Sequence, residues 1–94
     1  MKTERIETVV MVKRTGHSCI GCMGSESPFI VFDLPDNSEL LWHSDNVESI
    51  AKRFGFPRMH EMEGRYVGIV ANIRPSKRTA GRWQVQRMVN LEDR

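Results

Sequence analysis

The sequence predicts a mainly β domain with one short helix, built to bind rather than to catalyse. Three observations predict it. Five stretches of strand length either alternate apolar and polar residues or run apolar; one stretch carries a helical apolar face between start and stop signals; turn-forming residues separate them. The 94 residues make one domain, 1–94, because globular domains mostly run about 100–150 residues. The apolar share of 39% is low for a globular chain but above that of a disordered one.

Ile6, Thr8, Val10 and Val12 alternate with Glu7, Val9, Met11 and Lys13, a strand signal with period two. Residues 15–27 carry three Gly and three Ser and read as a long loop. Phe29–Leu34 is an apolar run with one Asp, a mostly buried strand. Pro35-Asp36-Asn37-Ser38 is turn chemistry, and Glu39–His43 returns as a third strand. Asp45 reads as a helix N-cap with Glu48 as its capping-box partner. Val47, Ile50, Ala51 and Phe54 make one apolar face, and Gly55, Phe56 and Pro57 supply the stop, so the helix spans 46–54. A helix that short must lie on a sheet.

Residues 57–64 read as a loop, with His60-Glu61-Met62-Glu63 as a polar stretch in it. Arg65, Val67, Ile69, Ala71 and Ile73 then alternate with Tyr66, Gly68, Val70, Asn72 and Arg74. In a last strand Trp83, Val85, Val89 and Leu91 face in and Gln84, Gln86, Met88 and Asn90 face out. Arg87 falls on the apolar side of that pattern, which a β-bulge or an open end of the sheet would explain. Residues 1–4 and 92–94 are expected to fray.

The order β-β-β-α-β-β resembles that of an OB-type barrel, a five-stranded, partly open Greek key with its helix between strands three and four. The resemblance rests on element order. The alternative is a β-grasp-like α+β sheet, should 39–43 be only a turn extension.

The N-terminus has no apolar core of a secretory signal, and Val9–Val12 is too short to span a membrane. The expectation is a cytoplasmic protein with no membrane partner, whose two Cys are thiols or metal ligands rather than a disulfide. The net charge is only +2, but it is polarised. Residues 64–94 carry seven Arg or Lys against two acids, and residues 16–63 carry three against eight. A basic third of this kind points to an anionic partner, though a solvated surface has the same composition.

Arg74, Lys77, Arg78 and Arg82 put four cations in nine residues, with Ser76, Thr79 and Gly81 as small partners in a hairpin loop, 74–82. Charge plus donors on a closely approachable backbone suits phosphate. In an OB-like barrel this loop joins strands four and five and lines the ligand groove. Tyr66, Asn72, Gln84 and Gln86, on the outer face of those strands, could touch sugars or bases. Arg65 and Arg87 are second-rank candidates. Trp83 and Phe29, Phe32, Phe54 and Phe56 read as core, and Trp42 as a residue that either fills the core or faces the groove.

His17, Cys19 and Cys22 form H-x-C-x₂-C, which could give three ligands to zinc, with His43 or His60 as the fourth. Two ordinary thiols near a loop explain the same residues, and a redox dithiol lacks its βαβ context. His43-Ser44-Asp45 reads as a strand end and a cap. There is no phosphate-binding P-loop, no G-x-S-x-G and no paired carboxylates, so no enzyme is expected.

The sequence therefore favours a nucleic-acid-binding module for single strands, using the 74–82 loop and the outer face of the last two strands. The alternative partner is an acidic protein surface, which the same loop would engage as an interaction or inhibitor module. Pairing into a dimer is compatible with both.

Overall fold

Sixteen residues of β1 (Glu4–Cys19) form the strand around which the chain closes. The structure, a computed structural model, describes residues 3–19, 26–77 and 80–93. The N-terminal half of β1 pairs antiparallel with β4 (Tyr66–Pro75), and its C-terminal half pairs with β2 (Glu26–Asp33). The handover falls at Met11, which pairs with both Tyr66 and Asp33. Just beyond it, Lys13 is one residue too many in the ladder to β2. Such a bulge bends and twists a strand, and a small barrel needs a corner there.

β2 turns back as β3 (Glu39–His43) through residues 34–38. The turn is closed by the Ser38 amide donating to Asp36 Oδ1 at 3.0 Å and the Asn37 amide to the Leu34 carbonyl at 3.0 Å, with Asn37 at φ 70°. This is the short polar turn that the sequence predicts. β3 runs parallel to β5 (Arg82–Asp93), and β5 is antiparallel to β4. The order β1-β2-β3-β5-β4 closes on itself. This is the OB-like five-stranded barrel, and closure rules out the β-grasp alternative.

Ile30, Phe32, Leu40, Trp42, Val67, Ile69, Ala71 and Ile73 fill the interior with Val10, Val12 and Leu91. One end is stoppered by α1 (Val47–Arg53), whose Val47 and Ala51 join the core, and by a 3-10 helical turn, Met59–Met62. The expected polar loop there is corrected: Met59 and Met62 sit on one side of the turn and are buried. A 3-10 turn has three residues per turn, so positions 59 and 62 superimpose.

The helix starts differently from expectation. Its N-cap is Asn46, with no side-chain cap bond. Asp45 Oδ1 instead accepts from the Ser27 hydroxyl at 3.3 Å, the Ser44 hydroxyl oxygen accepts from the Asn46 amide, and Glu48 meets His17. The stop is as predicted. Gly55 has φ 90°, and the Phe56 and Gly55 amides donate to the Ala51 and Lys52 carbonyls, a Schellman closure.

β5 corrects the expected alternation. Its ladder to β4 slips by one residue near Gln86 and again near Val89. The first slip turns Arg87 to the outside, the role the sequence assigns to a bulge, and brings Met88 onto the core. The second leaves Val89 exposed and Leu91 buried. The expected loop over 15–27 is shorter, since Thr15–Cys19 continue β1 and Glu26–Ser27 begin β2. Glu4, Glu92 and Asp93 are paired rather than frayed. Met1, Lys2, residues 20–25, Arg78, Thr79 and Arg94 lie outside the described residues. Among the described residues no helix is long and apolar enough to cross a membrane.

Candidate nucleic-acid interface

Side chains alternate along each strand, so residues paired across the ladders line up in rows around the outside of the barrel. Three rows cross the face made by β1, β2, β3 and β5. The middle row is Arg14, Val31, Leu41, Gln84 and Arg74, each paired with the next. It places an arginine at each end, a glutamine beside one of them, and a low apolar floor between. Val31 is fully buried even though it faces away from the core residues Ile30 and Phe32.

The row on one side is Gly16, Phe29 and His43. Here the expectation that Phe29 is core is corrected: Phe29 is half-buried on the outer face. Its ring lies against the α-carbon of Gly16, where an added methyl would stand 2.9 Å from Phe29 Cζ. The Phe29 and His43 rings sit 5.6 Å apart between centroids, inclined at 55°. That separation is within the range of favourable aromatic pairs. Burial pushes the His43 imidazole below its ordinary value, which favours the neutral ring, and its Nδ1 is buried without a hydrogen-bond partner among the described residues.

The row on the other side is Asp33, Glu39 and Arg82, with Lys13 reaching in from the bulge. Lys13 Nζ is 2.6 Å from Glu39 Oε2 and 3.7 Å from Asp33 Oδ1, while Arg82 Nη2 is 2.8 Å from Glu39 Oε1. Hydrogen bonds from Lys13 and then Arg82 hold the Glu39 carboxyl at about 2. The same contacts raise Lys13. Arg82 is therefore partnered inside the protein, which the sequence does not reveal.

The remaining predicted residues scatter over several surfaces. Arg74 and Gln84 share the middle row at the base of the 74–82 loop, which is pinched there by the Ser76 amide donating to the Arg82 carbonyl at 2.8 Å. Lys77 is exposed on that loop, and Arg78 lies outside the described residues. Asn72 sits between Arg5 and Arg87 in a further row across β1, β4 and β5. Gln86 is exposed and its Oε1 accepts from the Thr3 hydroxyl at 2.9 Å. Tyr66 is 58% exposed but at the far end of β4. Eight residues at about 3.3 Å each put it roughly 25 Å from Arg74, so the two do not belong to one cluster. Arg65 lies over the Phe56 ring at 5.2 Å. Trp42 belongs to the interior, and Trp83 packs on the core from the inside.

No protein-family model matches the chain, and no curated protein or solved structure matches it significantly.

For the zinc set, His17 is held by Glu48, Nε2 to Oε1 3.3 Å, and lines one hollow with His60. His43 is in the aromatic row instead. Cys22 and the Cys19 side chain lie outside the described residues. Among the described residues no three His, Cys, Asp or Glu come together as a metal group.

Of the residues that the sequence names for the basic loop and strand face, the structure brings Arg74 and Gln84 together in one row. Phe29 reads in the sequence as core and His43 as a strand end or a zinc ligand, and sequence reasoning singles out neither Arg14 nor the Glu39 clamp. One signal could have found Phe29: it and Phe32 are an odd number of positions apart on one strand, so both cannot face inward.

Proposed function

We propose that this protein is a non-catalytic module that binds single-stranded nucleic acid across the β2–β3 face. The observation that carries the reading is the Phe29–His43 pair, two outward rings 5.6 Å apart beside a row with arginine at both ends. Stacking on aromatic rings and charge tracking the backbone are the two demands of sequence-tolerant single-strand binding. In OB-like barrels this face, flanked by the loops between strands one and two and between four and five, is the usual place for it. Phe29 and His43 would stack bases, Gln84 would bond to a base or sugar edge, and Arg14, Arg74 and Lys77 would meet phosphates.

Fluorescence anisotropy with a labelled oligothymidine at several salt concentrations tests this. Affinity should fall log-linearly with salt, and R14A/R74A/K77A should flatten the slope by about 0.7 for each phosphate no longer neutralised. F29A should weaken binding by about 1–3 kcal/mol at unchanged slope. A folded wild-type protein that binds no oligonucleotide at low salt sinks the proposal.

A second reading, docking on a protein, is favoured by one observation. Val9 (45% exposed) and Tyr66 stand beside Gly68 and Met11 on the outer face of β1 and β4. Binding there would have an apolar centre and depend weakly on salt.

A further inference from the structure

We infer that the hollow between the end of β1, α1 and the 3-10 turn is a pocket for a phosphate dianion. It has a volume of about 500 Å³. His17 from β1, Lys52 from α1, Arg58 from the connection and His60 from the turn bring four nitrogen-bearing side chains to its wall.

Each of the acids around it has a partner, one on the wall itself and two on backbone. Glu48, the carboxylate on the wall, meets His17 Nε2 at 3.3 Å. Glu61 Oε2 accepts from the Arg58 backbone amide at 3.3 Å, and Glu63 Oε2 from the Thr15 amide at 2.8 Å and its hydroxyl at 3.2 Å. Each of these two carboxylates is thus turned to backbone rather than to a neighbouring cation. Among the described residues, Lys52, Arg58 and His60 have no ion pair. The contrast with Lys13 and Arg82, which share Glu39, is direct. Lys52 and Arg58 face one carboxylate on this wall, Glu48, which is turned to His17; two cations without an ion pair of their own repel each other and gain when an anion enters. Arg58 offers a planar fork for two phosphate oxygens, and Lys52 a mobile point charge for a third.

A phosphate monoester suits such a pocket better than a diester. It carries about −1.5 to −2 charge and three free oxygens, whereas a diester carries one charge and is hemmed by sugars. Gly16 forms part of the wall and is also the residue on which the Phe29 ring rests. The pocket and the aromatic row thus share a border, and a strand stacked on Phe29 reaches the hollow with its terminal phosphate. That assignment of the source rests on the single-strand reading; the pocket itself does not.

The test is a ¹H–¹⁵N NMR titration of the full chain with inorganic pyrophosphate, beside anisotropy of oligothymidine with and without a 5′-phosphate. Pyrophosphate should shift the amides of Gly16, His17, Lys52 and His60 saturably, and K52Q/R58Q should abolish those shifts in a folded protein. The 5′-phosphate should tighten oligonucleotide binding about tenfold, the scale of one charge-assisted contact, and K52Q/R58Q should erase that gain while leaving the unphosphorylated strand's affinity unchanged. No pyrophosphate shift at these amides overturns the pocket, even if oligonucleotides bind. Pyrophosphate binding without any oligonucleotide binding upholds the pocket with a free phosphate compound as ligand and overturns the single-strand reading.

Discussion

Gly16 decides how Phe29 meets its surroundings, because the absence of a side chain there lets the ring lie on the strand. In G16A the new methyl needs the space of Phe29 Cζ, and the far end of a side chain can yield where backbone cannot. G16A should therefore stay folded, with unchanged far-ultraviolet circular dichroism, and lose oligothymidine affinity as F29A does. Full affinity in folded G16A would separate the ring from binding. The neighbouring His43 gives a pH prediction. Burial lowers its folded value below the ordinary 6.5, so the unfolded chain takes up the proton first as pH falls. Stability is then constant above about 6.5 and declines as pH falls from there to the folded value. Denaturant unfolding of H43F, which keeps an aromatic ring against Phe29, should lack this decline, and an identical slope in both proteins would refute it. Neither residue was legible as a site in the sequence. Phe29 sits in a run apolar at nearly every position, which masks parity, and its partner is set by the β2–β3 register rather than by any local pattern.

Among the elements, α1 and the 3-10 turn together hold one end of the barrel, and two substitutions separate their contributions. Gly55 has φ 90° with nothing within 4 Å of an added methyl, so G55A has only a backbone cost, about 1–2 kcal/mol. Met62 is fully buried in the core, so M62A loses transfer energy and leaves a cavity, about 2–5 kcal/mol. Chemical denaturation should rank them in that order, and a larger loss in G55A would mean that the helix stop, not the Met plug, secures the end. The stop was legible because it is local: Gly, Phe and Pro in a row encode it. The plug was less so, since Met59 and Met62 lie among charged residues, and only the three-residue spacing betrays them. Alternation gave the inner faces of β1 and β4 correctly because each face keeps one parity where it lines the barrel. It failed in β5, where the first bulge, which Arg87 marks, makes Met88 and Val89 exchange sides, and a second bulge, which nothing in the chain marks, returns Leu91 to the inside. The basic loop and its anchors Arg74 and Gln84 were legible for the same reason as the helix stop. Which cations stay free was not, because that depends on acids brought from other strands.

Closure of the whole barrel brings Glu39 to its cations from 26 and 43 residues away. Lys13 is the bulge of β1, Glu39 opens β3, and Arg82 opens β5 opposite it in the parallel pair. One carboxylate thus ties three strands, and in doing so engages two cations beside the proposed strand-binding face. The Glu39 value of about 2 lies below the ordinary 4.5, so its stabilisation is fully present above about 4.5 and lost as pH falls towards 2. Lys13 is raised above 10.5, so its share is present below 10.5 and lost as pH rises through the folded value. E39Q should remove the acid-side dependence between pH 4.5 and 2. At neutral pH it should cost on the order of 1 kcal/mol, as a partly exposed ion-pair network does, which is a fall of about 4–8 °C in Tm for a domain of this size. The same substitution releases Arg82 to meet phosphate, while Lys13 keeps Asp33 at 3.7 Å, so oligothymidine should bind more tightly at low salt, and the slope should steepen by about 0.7 for the one cation recruited. Loss of stability with gain of affinity is the combined signature. A variant that loses both would make Glu39 a support of the binding surface rather than a brake on its charge, and one that loses neither would leave the three-strand tie without energetic weight.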